Sequence, residues 1–137
     1  MKKILALLLT ATMLIVMSNN AFSVDKKKIM KYGKKLYTTN CSACHQMNGA
    51  GIPGAFPPLA KSDFIKNDEK VVFSSILLGN KGKMTVNGVD YNGVMPPVKM
   101  NNKEIAAVTT FIMNSWGNKG KVYSPKQVKK FKKSLKK

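Results

Sequence analysis

Arginine is absent from this chain; all 24 of its basic residues are lysine. Acids number only six, leaving a formal net charge of +18, and the 137 residues hold two cysteines and one histidine. Each shortage excludes something. Without arginine there is no guanidinium fork to grip carboxylate or phosphate in two-point fashion. With so few thiols and imidazoles, a tetrahedral zinc site would have to take its remaining ligand from Asp, Glu or water. No βαβ pattern surrounds the cysteines, as a thioredoxin-like dithiol would require. After the first apolar run there is no second, so nothing downstream reads as a membrane span. The lysines come with no recognisable nucleic-acid-binding motif, which makes nucleic acid a poor partner.

What is present begins with a leader. "MKK" is a basic start, residues 4–17 form a mostly apolar run, and Ala21 and Ser23 stand at the −3 and −1 positions of a small-residue cleavage site. The run is shorter than the roughly 20 apolar residues a bilayer crossing needs. A cleavable signal over residues 1–23 is therefore expected, with an uncleaved anchor as the weaker alternative. The mature part would be 114 residues at a net charge of +16, working in the periplasm or otherwise outside the cytoplasm. Such a charge attracts acidic partners or anionic surfaces, although 12 asparagines beside the lysines also suggest compositional bias.

Periodicity makes the rest predominantly helical. Ile29, Tyr32, Leu36 and Tyr37 form a helical stripe leading into Cys41, with Gly33 either at a close backbone crossing or simply tolerated on the surface. Residues 46–58 carry the Gly, Asn and Pro of a loop. Asn67 as N-cap, Asp68 and Glu69 in the first turn and Gly79 past the end predict a helix. Asn87-Gly88 predicts a short hairpin. Asn101 and Glu104 resemble a capping box for a helix striped by Ile105, Val108 and Ile112 and stopped by Gly117. From residue 119 to 137 the chain is a lysine-rich extension with Ser124-Pro125 as a cap and Val128, Phe131 and Leu135 as a thin apolar stripe.

All three thiol and imidazole groups fall in "CSACH", residues 41–45. C-x-x-C-H is the covalent heme attachment pattern. Two cysteines one helical turn apart reach the two vinyl groups on one porphyrin edge, and the following histidine is carried under the ring toward iron. A structural disulfide would not require His45 beside it. The second axial ligand decides between carrier and catalyst. Met30 and Met113 lie within helices, and Met47 is too near His45 to cross the ring. That leaves Met84, Met95 and Met100, with the prolines after Met95 stiffening its backbone.

"CSACH", "GIPGAFPPLAKSD", "VNGVDYNGVMPP" and "EIAAVTTFIMNSWGN" together resemble the small bacterial class I cytochromes c, over residues 28–118. The resemblance implies an all-α fold around one covalent heme c, with a short β-hairpin before the distal methionine loop. It implies His45 as proximal and Met95 as distal iron ligand. Pro57, with Leu59 behind it, would match the proline-leucine pair whose proline carbonyl accepts the imidazole Nδ1–H. Gly33 and Tyr37 would cross the last helix at Val108, Phe111 and Ile112. The residues after 118 lie beyond the resemblance.

Iron held by His and Met has no vacant position, so the expected role is a one-electron carrier, not an enzyme. Its exposed heme edge would be bordered by Ala43, residues 50–52 and residues 94–98. Acidic redox partners such as a terminal oxidase or reductase would be steered by the lysines. The lysine-rich tail could instead meet a membrane surface. Two alternatives stand beside the carrier: a peroxidase or gas sensor with a displaceable distal ligand, and a cytochrome subunit of a larger redox enzyme.

Overall fold

The computed structural model describes residues 26–66 and 68–136. The leader, its expected cleavage site and Asn67 lie outside the described residues. The chain runs through α1 (residues 26–40), α2 (Ser42–His45), α3 (Glu69–Leu78), β1 (Asn80–Val86), β2 (Val89–Met95), α4 (Asn102–Met113) and α5 (Pro125–Ser134).

α4 is the centre. Its N-cap Asn101 accepts from the Lys103 and Glu104 amides while the Glu104 carboxylate accepts from the Asn101 amide, the expected capping box. Every residue from 105 to 113 is buried. The helix stops at Met113, four residues short of the expected stop at Gly117. Asparagine amides account for this: Asn114 donates to the Thr110 carbonyl at 2.9 Å and Asn118 to the Ile112 carbonyl at 2.9 Å. Side chains thus bond two of the last-turn carbonyls.

α1 crosses α4 at Gly33. A Cβ there would strike the Ala107 carbonyl and lie 2.8 Å from Phe111 Cβ, so only glycine allows this approach. Tyr37, one turn on, is fully buried, its ring 5.4 Å from Phe111 and 4.9 Å from Trp116. The crossing partners are therefore Ala107 and Phe111; Val108 lies in the core and Ile112 faces a cleft. Tyr32 departs from the expected stripe. It is exposed, among Lys28, Lys31, Lys34 and Lys35.

The N-cap of α3 is Asp68, whose carboxylate accepts from the Lys70 amide at 2.8 Å, so the cap falls one residue after the expected Asn67. α3 buries Val72, Phe73 and Ile76. α5 starts with a second capping box, Ser124 with Gln127, and Pro125 in its first turn. The lysine-rich segment contributes to the core: Val128 is fully buried, and the rings of Tyr123 and Phe131 lie 6.1 and 5.8 Å from Phe73. Each large apolar side chain so buried stabilises by roughly 1.5–3 kcal/mol.

The hairpin turns at Asn87 and Gly88, both at positive φ (51° and 78°), as a tight two-residue turn needs. Its antiparallel register runs outward from Val86↔Val89 to Asn80↔Met95. The sheet is longer than the sequence suggests, and Met95 is its last residue rather than part of a following loop. The turn is tied to the loop before α3. The Asn87 amide donates to Asp63 Oδ1 at 2.8 Å, and the Asp63 amide to Asn87 Oδ1 at 3.0 Å.

Candidate functional site

Between α2, the loop after it, α3 and the hairpin lies a mostly apolar cleft with about 980 Å³ of empty space, its open mouth included. Cys41, Cys44, His45, Pro57, Leu59 and Met95 all line it, so the six expected residues come together at one place.

α2 follows α1 directly, and this junction sets the two thiols one turn apart on the cleft wall. No disulfide joins the two cysteines. Burial, then the neighbouring Cys44, pushes the Cys41 thiol up to about 11. Exchange chemistry needs a thiolate stabilised by its surroundings, and this site does the reverse. His45 is buried, and its Nδ1 lies 3.0 Å from the Pro57 carbonyl oxygen. A carbonyl can only accept, so Nδ1 carries the proton. Burial lowers the imidazole's pKa, with the Pro57 bond opposing, so the ring is neutral and Nε2 keeps a lone pair for a metal.

The loop that brings Pro57 to His45 is held at several points. Gly51, at φ 65°, packs against the Phe56 and Pro57 carbonyls so closely that a Cβ would collide with them. Its amide donates to the His45 carbonyl at 3.0 Å. Leu59 is fixed from both sides. Its amide donates to the Gly49 carbonyl at 2.8 Å, and its own carbonyl accepts from Asn118 Nδ2 at 2.8 Å. The Tyr37 hydroxyl, kept protonated by burial, donates to the Gln46 carbonyl at 2.7 Å.

Met84 and Met95 line the cleft, whereas Met100 packs against the hydrophobic core without lining the cleft, and Met47 is exposed. Asn80 distinguishes the remaining two. Opposite Met95 in the hairpin, its amide nitrogen lies 2.8 Å from Ser75 Oγ and 4.0 Å from Met95 Sδ, within reach of a sulfur hydrogen bond. Gly51, Asn80 and Asn118 escaped the sequence reading. Only Asn80 carried a usable signal: counting outward from the Asn87-Gly88 turn puts it across from Met95.

The cleft's chemistry fits heme c. It offers apolar walls for a porphyrin, two thiols in one wall and one neutral imidazole with a free nitrogen. It also holds a buried Ser62 hydroxyl without a hydrogen-bond partner among the described residues. Fold and site define a c-type heme protein of helices and one hairpin.

Residues 30–116 match the family model described as Cytochrome c. A cytochrome c-552 from Thermus thermophilus is 39% identical over 108 residues, covering 72% of this chain and 82% of that protein. The cytochrome c subunit of a quinone alcohol dehydrogenase from Gluconobacter oxydans is 28% identical over 88 residues, 63% of this chain but only 18% of that subunit. The cbb3-type cytochrome c oxidase subunit CcoP of Helicobacter pylori is 24% identical over 108 residues, 78% of this chain and 34% of the subunit. The chain belongs to the cytochrome c family, as a small class I monoheme member with covalently attached heme c. It is a protein of electron transport, a carrier or a redox-enzyme subunit, and not itself an enzyme.

Proposed function

We propose that this chain is an exported one-electron carrier, with thioethers at Cys41 and Cys44, His45 as proximal ligand and Met95 as distal ligand. One observation carries the reading: the only imidazole in the chain, its Nδ1 engaged by Pro57, shares an apolar cleft with the Met95 thioether. When bound, heme supplies the one-electron couple. The chain's residues do the rest. Pro57 orients the imidazole, Leu59 and Ile112 keep water from the cleft, and a soft thioether favours the reduced state relative to a second imidazole. Asn80 and the hairpin register hold Met95, which favours a closed site over a sensor or peroxidase with a displaceable ligand.

Ile52, Phe64 and Val94 are exposed, and Phe64 and Val94 also line the cleft, so they offer an uncharged seat for a partner. Lysines elsewhere would steer an acidic redox protein toward it. Likeness to parts of the quinone dehydrogenase and cbb3 oxidase subunits supports a second reading, a module held within such a complex. Among the described residues no helix is long and apolar enough to cross a membrane. The leader supports export to the periplasm.

The test is the optical spectrum of the heme-loaded protein, oxidised and reduced, with and without carbon monoxide. A ferric methionine–iron charge-transfer band, and no carbon monoxide shift on reduction, is expected. Ready carbon monoxide binding would overturn the closed His–Met carrier.

A further inference from the structure

Heme is apolar across its face but ends in two carboxylates, and a mostly apolar cleft must provide for them. The polar nitrogen- and oxygen-bearing side chains in the wall are few. His45 is bonded to Pro57, Ser75 and Asn80 are bonded to each other, and Tyr91 contributes a phenol. Ser62 stands apart. It is 3% exposed, and its Oγ has no hydrogen-bond partner among the described residues. A buried hydroxyl left without a partner is destabilising.

Thr109 Oγ1 is also buried without a partner. It lies inside α4, where a threonine hydroxyl can turn to the carbonyl four residues back, and it lines neither cleft. Ser62 has no helix of its own to turn to.

The surroundings of Ser62 are cationic. A second cleft shares Ser62 and Ile65 with the first, and Lys61, Lys66 and Lys119 line it. The acid there, Asp63, already accepts from the Asn87 amide. None of the three lysines forms an ion pair among the described residues. An ionised carboxylate is favoured where a hydroxyl donates to it and cations stand nearby.

We infer that Ser62 donates its hydroxyl proton to a heme carboxylate, with Lys61, Lys66 and Lys119 supplying the positive field behind it. This rests on the heme reading above. Thioethers at Cys41 and Cys44 would hold one edge of the ring, and Ser62 would hold a carboxylate. Ser62 is a positioning residue. Its hydrogen bond keeps that carboxylate ionised, so both oxidation states meet the same local charge over a wide pH range.

The experiment is the pH profile of the reduction potential in holoprotein, for the wild type, Ser62→Ala and Ser62→Thr. Heme content is established first from spectrum and mass. Loss of the Ser62 hydroxyl should raise the carboxylate's proton affinity about tenfold, moving the redox-linked titration up by about one pH unit. Ser62→Thr, which keeps the hydroxyl, should restore the wild-type profile. Tyr91, whose side chain also lines the cleft, is the control. If Tyr91→Phe moves the profile and Ser62→Ala does not, the inference is wrong.

A wild-type chain that takes up no heme overturns the carrier reading and this inference with it. A loaded Ser62→Ala protein with an unchanged profile overturns the inference alone. Should Ser62→Ala fail to load, proton NMR of the wild-type holoprotein decides. A slowly exchanging Ser62 hydroxyl proton supports the bond, and a rapidly exchanging one overturns it.

Discussion

At the scale of single residues, the site depends on groups whose alternatives are absent. His45 has no substitute in the chain, and Pro57 leaves it one free nitrogen. Met95 does have a neighbour of the same chemistry, since Met84 lines the same cleft. Met95→Ala is therefore an informative substitution. It should abolish the ferric methionine charge-transfer band, lower the reduction potential and admit carbon monoxide. A retained band would transfer the ligand role to Met84. Gly33→Ala tests packing instead. The added methyl meets the Ala107 carbonyl and Phe111 Cβ, and overpacking of this kind typically costs about 1–3 kcal/mol. Denaturant unfolding of the holoprotein should show that loss with the heme spectrum unchanged.

At the scale of elements, the hairpin is the part that local contacts hold least. Its side chains in the core are Val86 and Tyr91, and the Asp63–Asn87 pair ties its turn to the rest. Asp63→Ala removes the carboxylate that accepts from the Asn87 amide. Hydrogen bonds to charged groups contribute about 1.5–3 kcal/mol, so hairpin amides should exchange faster while those of α4 keep their protection. Acid acts on the same element through Asp90. The Lys83 ammonium and then the Thr85 hydroxyl hold its carboxyl below the usual value of 3.8. A depressed carboxyl contributes stability that is complete above its ordinary value and lost as pH falls through the lower one. NMR titration should find the Asp90 midpoint below 3.8.

Legibility differed between elements for physical reasons. Capping boxes, the Asn-Gly turn and the C-x-x-C-H spacing are local devices, so the sequence displays them openly. Local signals also misled where tertiary contacts intervened. Gly117 looked like the end of α4, but the Asn114 and Asn118 amides end it earlier. Tyr32 had core spacing, yet it faces solvent. The supports of the site were the least visible. Asn118 reaches Leu59 across 59 positions of chain, and no periodicity records a bond of that span.

At the scale of the whole molecule, the lysine-rich end belongs to the fold. Tyr123, Val128 and Phe131 cover Phe73 and extend the core. Removing α5 by ending the chain after residue 120 should forfeit roughly 4.5–9 kcal/mol, at about 1.5–3 kcal/mol for each of these three side chains. That rivals the 5–15 kcal/mol that typically holds a domain together. Calorimetry of the truncated holoprotein should show a clearly lower Tm. An unchanged Tm would make α5 an ornament.

The crossing at Gly33 also bears on the order in which this molecule matures. Gly33, Tyr37, Ala107 and Phe111 bury one another without lining the cleft, so α1 and α4 can dock before any cofactor arrives. Bringing positions 33 and 107 together carries a closure entropy on the order of 4 kcal/mol, which makes this encounter slow. Once made, it would leave the two thiols displayed at the end of a fixed helix. If the hairpin docks last, Met95 arrives only after the thiols and the imidazole are in place. Pulse-labelled amides in cofactor-free chain should accordingly be protected in α1 and α4 first and in the hairpin last.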